Sequence, residues 1–300
     1  MSYDIPILFL IFNRPDTTKK VFAKIRSMKP KKLYIAADGP RENNLDDLKK
    51  NDEVKKIVSK IDWDCKVKTL YRKKNLGCKL AVSSAITWFF KNEEMGIILE
   101  DDCLPNNSFF KYCKELLVRY KDDDRIMILS GNTFINDKIR KKYIDSDYFF
   151  SKYAHIWGWA SWRRAWNKYD INMSNYNEFK KNKFFKLINN RLLDRLYWRY
   201  IFNLVKNNKI NTWAYIWQYN IWVNNGLSIQ PKYDLVKNIG FGVDSTHTIN
   251  SVKQDNRILN IYIHPDVFLR NIFVDNFISK KYYKLNLFGL FLKLLKKIKI

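Results

Sequence analysis

The run Ile5-Pro6-Ile7-Leu8-Phe9-Leu10-Ile11-Phe12 is apolar at every position and stops at Asn13-Arg14-Pro15-Asp16. A half-exposed strand or an amphipathic helix would interleave polar residues. A short unbroken run marks a strand buried on both faces, and such a strand needs helices to cover it. The next hundred residues supply them. Thr17 to Met28 sets Val21, Phe22 and Ile25 on one side of a helix, and Leu33 to Ala37 is a second strand cut by Asp38-Gly39-Pro40. Asp52 to Ile61 reads as helix, Lys66 to Tyr71 as a third strand punctuated by Asn75-Leu76-Gly77, Leu80 to Lys91 as helix, and Gly96 to Leu99 as a fourth strand. Phe109 to Tyr120 and Ile126 to Leu129 add one more helix and strand. Strand and helix in alternation, with turn residues between them, predict an α/β fold: a mainly parallel sheet flanked by helices.

In sheets of this kind ligands collect at the carboxyl ends of the strands. Arg14, Asp38, Arg72, Asn75, Gly77 and the triplet Glu100-Asp101-Asp102 are all expected there. The triplet is the strongest local signal. Three carboxylates directly after a buried strand repel one another and raise each other's pKa unless a cation neutralises them. A departing nucleoside diphosphate has the same need, and one divalent ion would serve both. Asp122-Asp123-Asp124 is equally acidic but follows a helix and is expected to face water. Asp38 is either an ordinary Asp-Gly turn residue or an acceptor for a ligand N–H or hydroxyl. Arg72, Lys73, Lys74 and Lys79 flank a helix start, where backbone N–H groups and cations suit a pyrophosphate.

Histidines are few and scattered: His155, His247 and His264. Metal ligands are therefore expected to be carboxylates, which suits Mn²⁺ or Mg²⁺. The four cysteines, Cys65, Cys78, Cys103 and Cys113, show no metal or disulfide spacing and read as free thiols. P-loop, dinucleotide and nucleophile-elbow motifs are absent. The stretch from Tyr143 to Tyr169 is crowded with aromatics. Within it, Trp157-Gly158-Trp159 reads either as a sugar-stacking surface or as core. Asn238 to Thr248 is a Gly-rich segment holding Asp244 and His247.

The net charge of +25 favours polyanionic partners, but it is spread along the chain without a nucleic-acid motif, so no nucleic acid is expected. No signal peptide is visible and no run approaches the ~20 apolar residues of a membrane span. At the end, Leu287, Leu290, Phe291, Leu294, Leu295 and Ile298 repeat with one helix face among Lys293, Lys296, Lys297 and Lys299. This is the pattern of a helix lying on an anionic membrane. The expected location is the cytoplasm, peripheral to the inner face of the cell membrane.

Taken in order, Phe12-Asn13-Arg14-Pro15, Ala37-Asp38-Gly39, Asn75-Leu76-Gly77, Leu99 to Asp102, Trp157-Gly158-Trp159 and Asn238 to His247 resemble the GT-A glycosyltransferases. More narrowly, they resemble bacterial relatives of the N-acetylglucosaminyltransferase I type, over about residues 5 to 250. The resemblance implies a Rossmann-like GT-A fold, a nucleotide-sugar donor (usually a UDP-sugar), Mn²⁺ and an inverting displacement. It makes Asp102 the metal ligand; the Gly-rich segment, read from its own residues, could close over the donor and add a metal or phosphate contact through His247, unless that His is structural. Glu100 and Asp101 would touch the donor's ribose or sugar, and Arg14 and Asp38 the nucleoside. It also implies a catalytic Asp shortly before the Gly-Trp segment; Asp147 is the nearest, at a longer spacing, with Asp145 and Asp244 as alternatives.

The expected organisation is a nucleotide-sugar-binding half (1–125), an aromatic-rich acceptor half (126–265) and a basic amphipathic tail (266–300). The expected function is metal-dependent glycosyl transfer to a glycan or lipid-linked acceptor in bacterial surface polysaccharide synthesis. A sugar nucleotidyltransferase and, on charge alone, a nucleic-acid-binding protein are the rivals.

Overall fold

The computed structural model describes residues 2–240 and 259–285. Its first half alternates β1 (Ile7–Ile11), α1 (Pro15–Met28), β2 (Lys32–Ala37), α2 (Leu45–Val58), β3 (Lys66–Tyr71), α3 (Gly77–Asn92) and β4 (Met95–Glu100). Then come β5 (Cys103–Pro105), α4 (Asn107–Arg119), β6 (Ile126–Ser130), α5 (Asp137–Tyr143), β7 (Tyr148–Ser151) and β8 (Trp159–Trp162). Helices α6 (Arg163–Trp166), α7 (Tyr176–Phe179), α8 (Lys183–Ile188), α9 (Leu192–Lys206) and α10 (Ala214–Val223) lead to β9 (Leu227–Pro231), β10 (Val236–Asn238) and α11 (Ile272–Lys281).

Eight strands form one sheet in the order β3-β2-β1-β4-β8-β6-β9-β7. β1, β2, β3 and β4 pair in parallel, as do β6 and β9, while β8 and β7 run antiparallel to their neighbours. The sheet is thus mixed and largely parallel, and residues on either side of position 125 share it. Chain order reverses at β1, with β2 on one side and β4 on the other. This is the switch point at which α/β sheets bind ligands.

Side-chain alternation divides the core. Leu8, Leu10 and Ile98 join α3, α9, α10 and α11 on one face; Ile7, Phe9, Ile97 and Leu99 join α1, α2 and α4 on the other. Every residue of β1 is buried, as its unbroken apolar run requires. The expected helix at Asp52 to Ile61 instead spans Leu45–Val58. Asn44 caps it by accepting from the Asp47 N–H at 2.9 Å, a start signal hidden in a polar stretch.

Trp159 departs from its ligand-facing expectation. It is a fully buried residue of β8, packed on Trp213, Trp166 and Trp217 at ring-centre distances of 5.7, 6.1 and 6.3 Å. Much of the aromatic density in the second half is this core, the commoner fate of large rings. Among the described residues no helix is long and apolar enough to cross a membrane. The proposed tail helix from Leu287 to Ile298 lies outside the described residues.

Candidate active site

At the carboxyl ends of β1, β2 and β4 lies a cleft of about 760 Å³, on the face covered by α3. Its apolar floor is made of small residues: Ala36 from β2, Ala81 and Ala85 from α3, with Leu10 and Val82 beside them. Small side chains between a sheet and its covering helix leave room for a flat ring. One rim carries Arg14, Arg41, Lys50 and Arg72. The carboxylates are Asp38, Asp46, Glu100, Asp101 and Asp102.

The triplet lies where its place after β4 predicts. Asp101 is 7% exposed and accepts the Phe12 N–H at 3.1 Å, which ties the end of β4 to the end of β1. Enclosure by protein and the negative charge of Asp102 push its carboxyl up to about 7. Glu100 faces the cleft but is enclosed elsewhere; that enclosure, then Asp102 and Asp101, push it up to about 8. Asp102 receives Arg14 Nη1 on Oδ2 at 2.8 Å. Three adjacent carboxylates with one guanidinium form a site short of positive charge.

A second element closes on Asp102. β10 pairs antiparallel with β5, matching Asn238 with Cys103. The Ile239 N–H then donates to the Asp102 carbonyl at 2.8 Å. Gly240 packs so closely that an added Cβ would collide with the Asp102 carboxylate and come within 2.9 Å of Arg14 Nη1. Asn238 and Gly240 line the cleft. Asp244 and His247 lie outside the described residues.

Asp38 lines the cleft, yet its carboxylate is occupied by backbone. It accepts the N–H groups of Leu76 (3.0 and 3.1 Å), Gly77 (3.0 Å) and Gly39 (2.9 Å), fastening the start of α3 to the end of β2. Asn75 Nδ2 donates to the Gly39 carbonyl at 2.7 Å, and an added Cβ on Gly39 would sit 2.5 Å from the Lys74 carbonyl carbon. Arg72 also lines the cleft, with Nη2 donating to Ser84 Oγ at 2.7 Å. Arg14, Asp38, Arg72, Asn75, Gly77, Glu100, Asp101, Asp102 and Trp157 are therefore brought together. Gly158 stands just behind, buried, with φ +59° and its carbonyl accepting from the Gly131 N–H at 2.7 Å.

Asp147 is not brought there. It precedes β7, the far edge strand, and its Oδ2 accepts the Tyr262 and Ile263 N–H groups at 2.8 Å each. It is a loop anchor remote from the cleft, which corrects its assignment as catalytic base. Asp145, two residues earlier, is likewise not a cleft residue. Every carboxylate lining the described cleft comes from the first half of the chain.

The residues missed in the sequence form the far wall and the scaffold. Asn211, Thr212 and Trp213, between α9 and α10, line the cleft, and Asn211 Oδ1 accepts the Lys79 N–H at 3.3 Å. Asn51, fully buried in α2, donates to the carbonyls of Phe12 (3.0 Å) and Asp38 (2.9 Å), setting the spacing of β1 and β2. Nothing local marked these residues; only the fold assembles them.

Hard oxygen donors at the end of β4 suit a divalent cation. Among the described residues no three His, Cys, Asp or Glu side chains are grouped so that together they could hold a metal ion. The donor set fits an open site, in which one or two carboxylates hold an ion completed by phosphate oxygens and water.

No known protein-family profile matches this chain, and no curated protein sequence matches it. Among solved structures it is similar to HddC from Yersinia pseudotuberculosis, at 8% identity and a TM-score of 0.31, over 53% of this chain and 77% of that one. It is also similar to 4-diphosphocytidyl-2C-methyl-D-erythritol synthase from Anaerococcus prevotii, at 8% identity and a TM-score of 0.31, over 60% of this chain and 76% of that one. Likeness at this level carries no argument about chemistry.

Proposed function

We propose that this chain is a nucleotide-sugar-dependent transferase whose donor sits in the cleft at the switch point, and that it moves the glycosyl group. The observation that carries the proposal is the triplet Glu100-Asp101-Asp102 at the end of β4, lining the cleft with Arg14 paired to Asp102. In this reading the base of the nucleotide lies on the floor of alanines between β2 and α3. Arg14 and Arg72 meet the pyrophosphate, and Asp102 holds a divalent ion, Mn²⁺ or Mg²⁺. When bound, the ion supplies Lewis-acid neutralisation of the leaving diphosphate. Arg14 adds a fixed charge at the same place, stabilising the leaving group as the sugar bond breaks. Trp157 and the Asn211 to Trp213 wall face the acceptor, a glycan or lipid-linked sugar. Asp244 remains the candidate base.

Nucleotidyl transfer is the second reading. The row of cations Arg14, Arg41, Lys50 and Arg72 favours it, since a triphosphate needs more positive charge than a diphosphate. Against it, β1 reaches α1 through Phe12-Asn13-Arg14 alone, with no loop to wrap a triphosphate.

The first experiment is a thermal-shift screen of nucleotide sugars with and without Mn²⁺, because a ligand bound only by the folded state raises the melting temperature. A shift that needs both nucleotide sugar and Mn²⁺, and that Asp102→Ala abolishes, is expected. Full metal-dependent binding and turnover by Asp102→Ala would remove Asp102 from the proposal.

A further inference from the structure

The carboxyl end of β6 lies on the same edge of the sheet as the triplet, because β8 runs antiparallel to both β4 and β6 and so leaves those two parallel. The chain after β6 carries a hydrogen-bonding deficit that the donor chemistry does not use. Asn132 is fully buried, and among the described residues neither its Nδ2 nor its Oδ1 has a hydrogen-bond partner. His155, 4% exposed, leaves Nε2 equally unmet. Unpaired buried polar atoms are costly, and a side-chain amide has four hydrogen-bonding positions to fill. Trp159 and Trp217 also leave an N–H unpaired, but each within the aromatic core and with a single position to fill.

Asn132 and His155 share one place. Ser130 Oγ accepts the His155 N–H at 3.1 Å, and the Phe134 ring meets the His155 ring edge-on at 4.5 Å. Asn132 stands midway between Ser130 and Phe134, while Thr133 turns the other way, its Oγ1 donating to Gln230 Oε1 at 3.3 Å. The alternation of an extended chain therefore sets Asn132 on the side of His155. Phe134 also meets the cleft-lining Trp157 at 5.0 Å, and Tyr282, at the end of α11, stacks on Phe134 at 3.7 Å. The two polar side chains thus lie one layer behind the cleft, roofed by half-buried Phe134 and Tyr282.

Burial pushes the His155 imidazole down to about 3, so the ring is neutral, with one donor and one acceptor nitrogen. An amide and a neutral imidazole both donate and accept, as a hydroxyl does. Asn132, Phe134, His155 and Tyr282 carry no charge, so an ionic ligand would be buried among them without a counter-charge. Aromatic walls with a few polar groups are the usual make-up of a small-molecule site. We propose that Asn132 and His155, beneath Phe134 and Tyr282, form a subsite for a neutral sugar of the acceptor glycan. β6 lies two strands from β4, roughly 10 Å at the usual strand spacing, so the sugar held there is a neighbour of the one that reacts. Tyr282 turns off Phe134 to admit it, and the unmet atoms take its hydroxyls. The inference rests on the glycosyl-transfer reading of the cleft and names the acceptor class for it.

The test applies the full chain to an array of defined neutral and acidic oligosaccharides, with and without UDP and Mn²⁺. High salt screens the net charge of +25. Binding of neutral di- or trisaccharides is expected. The Kd of the best of them, read by calorimetry, is expected to rise by about tenfold or more in Asn132→Leu and in His155→Phe. Both variants replace an unpaired buried group by an apolar one of similar size, so their melting temperatures should equal or exceed that of wild type. Tyr282→Ala, at a half-buried position, is the second probe should either fail to fold, and is expected to weaken the same sugar. No neutral oligosaccharide bound by wild type, a preference for acidic ones, or an unchanged Kd in the variants overturns the proposal. An unchanged Kd with a lowered melting temperature would give Asn132 and His155 to the fold, through a buried water. Neutral-sugar binding that depends on both residues, in a chain whose melting temperature no nucleotide sugar shifts, would support the subsite and refute the transfer reading alone.

Discussion

Asp38 gives the sharpest contrast between a ligand contact and a structural anchor. Replacing it by Ala removes the acceptor for the Leu76 and Gly77 N–H groups at the first turn of α3, where the N-cap residue Leu76 supplies no side-chain cap and Asn211 reaches only the Lys79 N–H. Loss of a helix cap costs about 0.5–2 kcal/mol. Loss of a negative charge at a helix N-terminus costs about 0.3–1 kcal/mol more. Part of this loop is open to water, which partly replaces the lost acceptor, so Asp38→Ala is expected to destabilise by about 2 kcal/mol. Asp38→Asn keeps one acceptor oxygen and loses the charge, and is expected to cost about half as much. Urea unfolding measures both, provided the slope m is unchanged, so that the midpoint shift reports stability. The loop also carries Arg72 and Asn75, so weaker nucleotide binding should accompany the instability. A loss of nucleotide binding with less than about 0.5 kcal/mol of destabilisation would refute the anchor role and restore Asp38 as a direct ligand.

Other consequences divide core from cleft. Trp159→Ala empties a fully buried site among Trp166, Trp213 and Trp217 and is expected to cost about 3–5 kcal/mol in urea unfolding. Half-buried Trp157→Ala is expected to cost less than half of that and to raise the KM for the acceptor; equal destabilisation by the two variants would contradict this division. In chelator, the carboxyls of Glu100 and Asp101, raised to about 8 and about 7, make folding favourable while protonated. That contribution is full below the ordinary carboxyl range and lost as pH rises through 7 to 8. Glu100→Gln should therefore be more stable than wild type at pH 8, by on the order of 1–2 kcal/mol, and equal to it near pH 5; no crossover would show that the two carboxyls titrate normally. Gly240→Ala places a methyl against Asp102 and Arg14 and should weaken nucleotide and Mn²⁺ binding, read by calorimetry, with little change in melting temperature. Unchanged affinity would mean that the β10 end moves aside freely.

The parallel half of the fold was legible because its strands are buried on both faces and so carry unbroken apolar runs. The triplet after β4 was legible for the same reason, since acidity alone also occurs at Asp122 to Asp124, where Asp123 pairs with Arg125 at the surface. The second half was less so. Four-residue β8 slips antiparallel between β4 and β6, and its Trp159 looks in sequence like a sugar-facing ring. Proximity in sequence to Gly158 suggested Asp147 as a base, but β7 crosses to the far edge and carries Asp147 away. The Asn211 to Trp213 wall is joined to the site by hydrogen bonds between residues over a hundred positions apart, which no local pattern encodes.

Product analysis with Mn²⁺, a set of nucleotide sugars and candidate acceptors tests most directly whether the cleft takes a nucleotide sugar and transfers its glycosyl group. Release of a nucleoside diphosphate, dependent on Mn²⁺ and on Asp102, is the expected result. Release of pyrophosphate from a nucleoside triphosphate and a sugar phosphate would contradict it and establish nucleotidyl transfer instead.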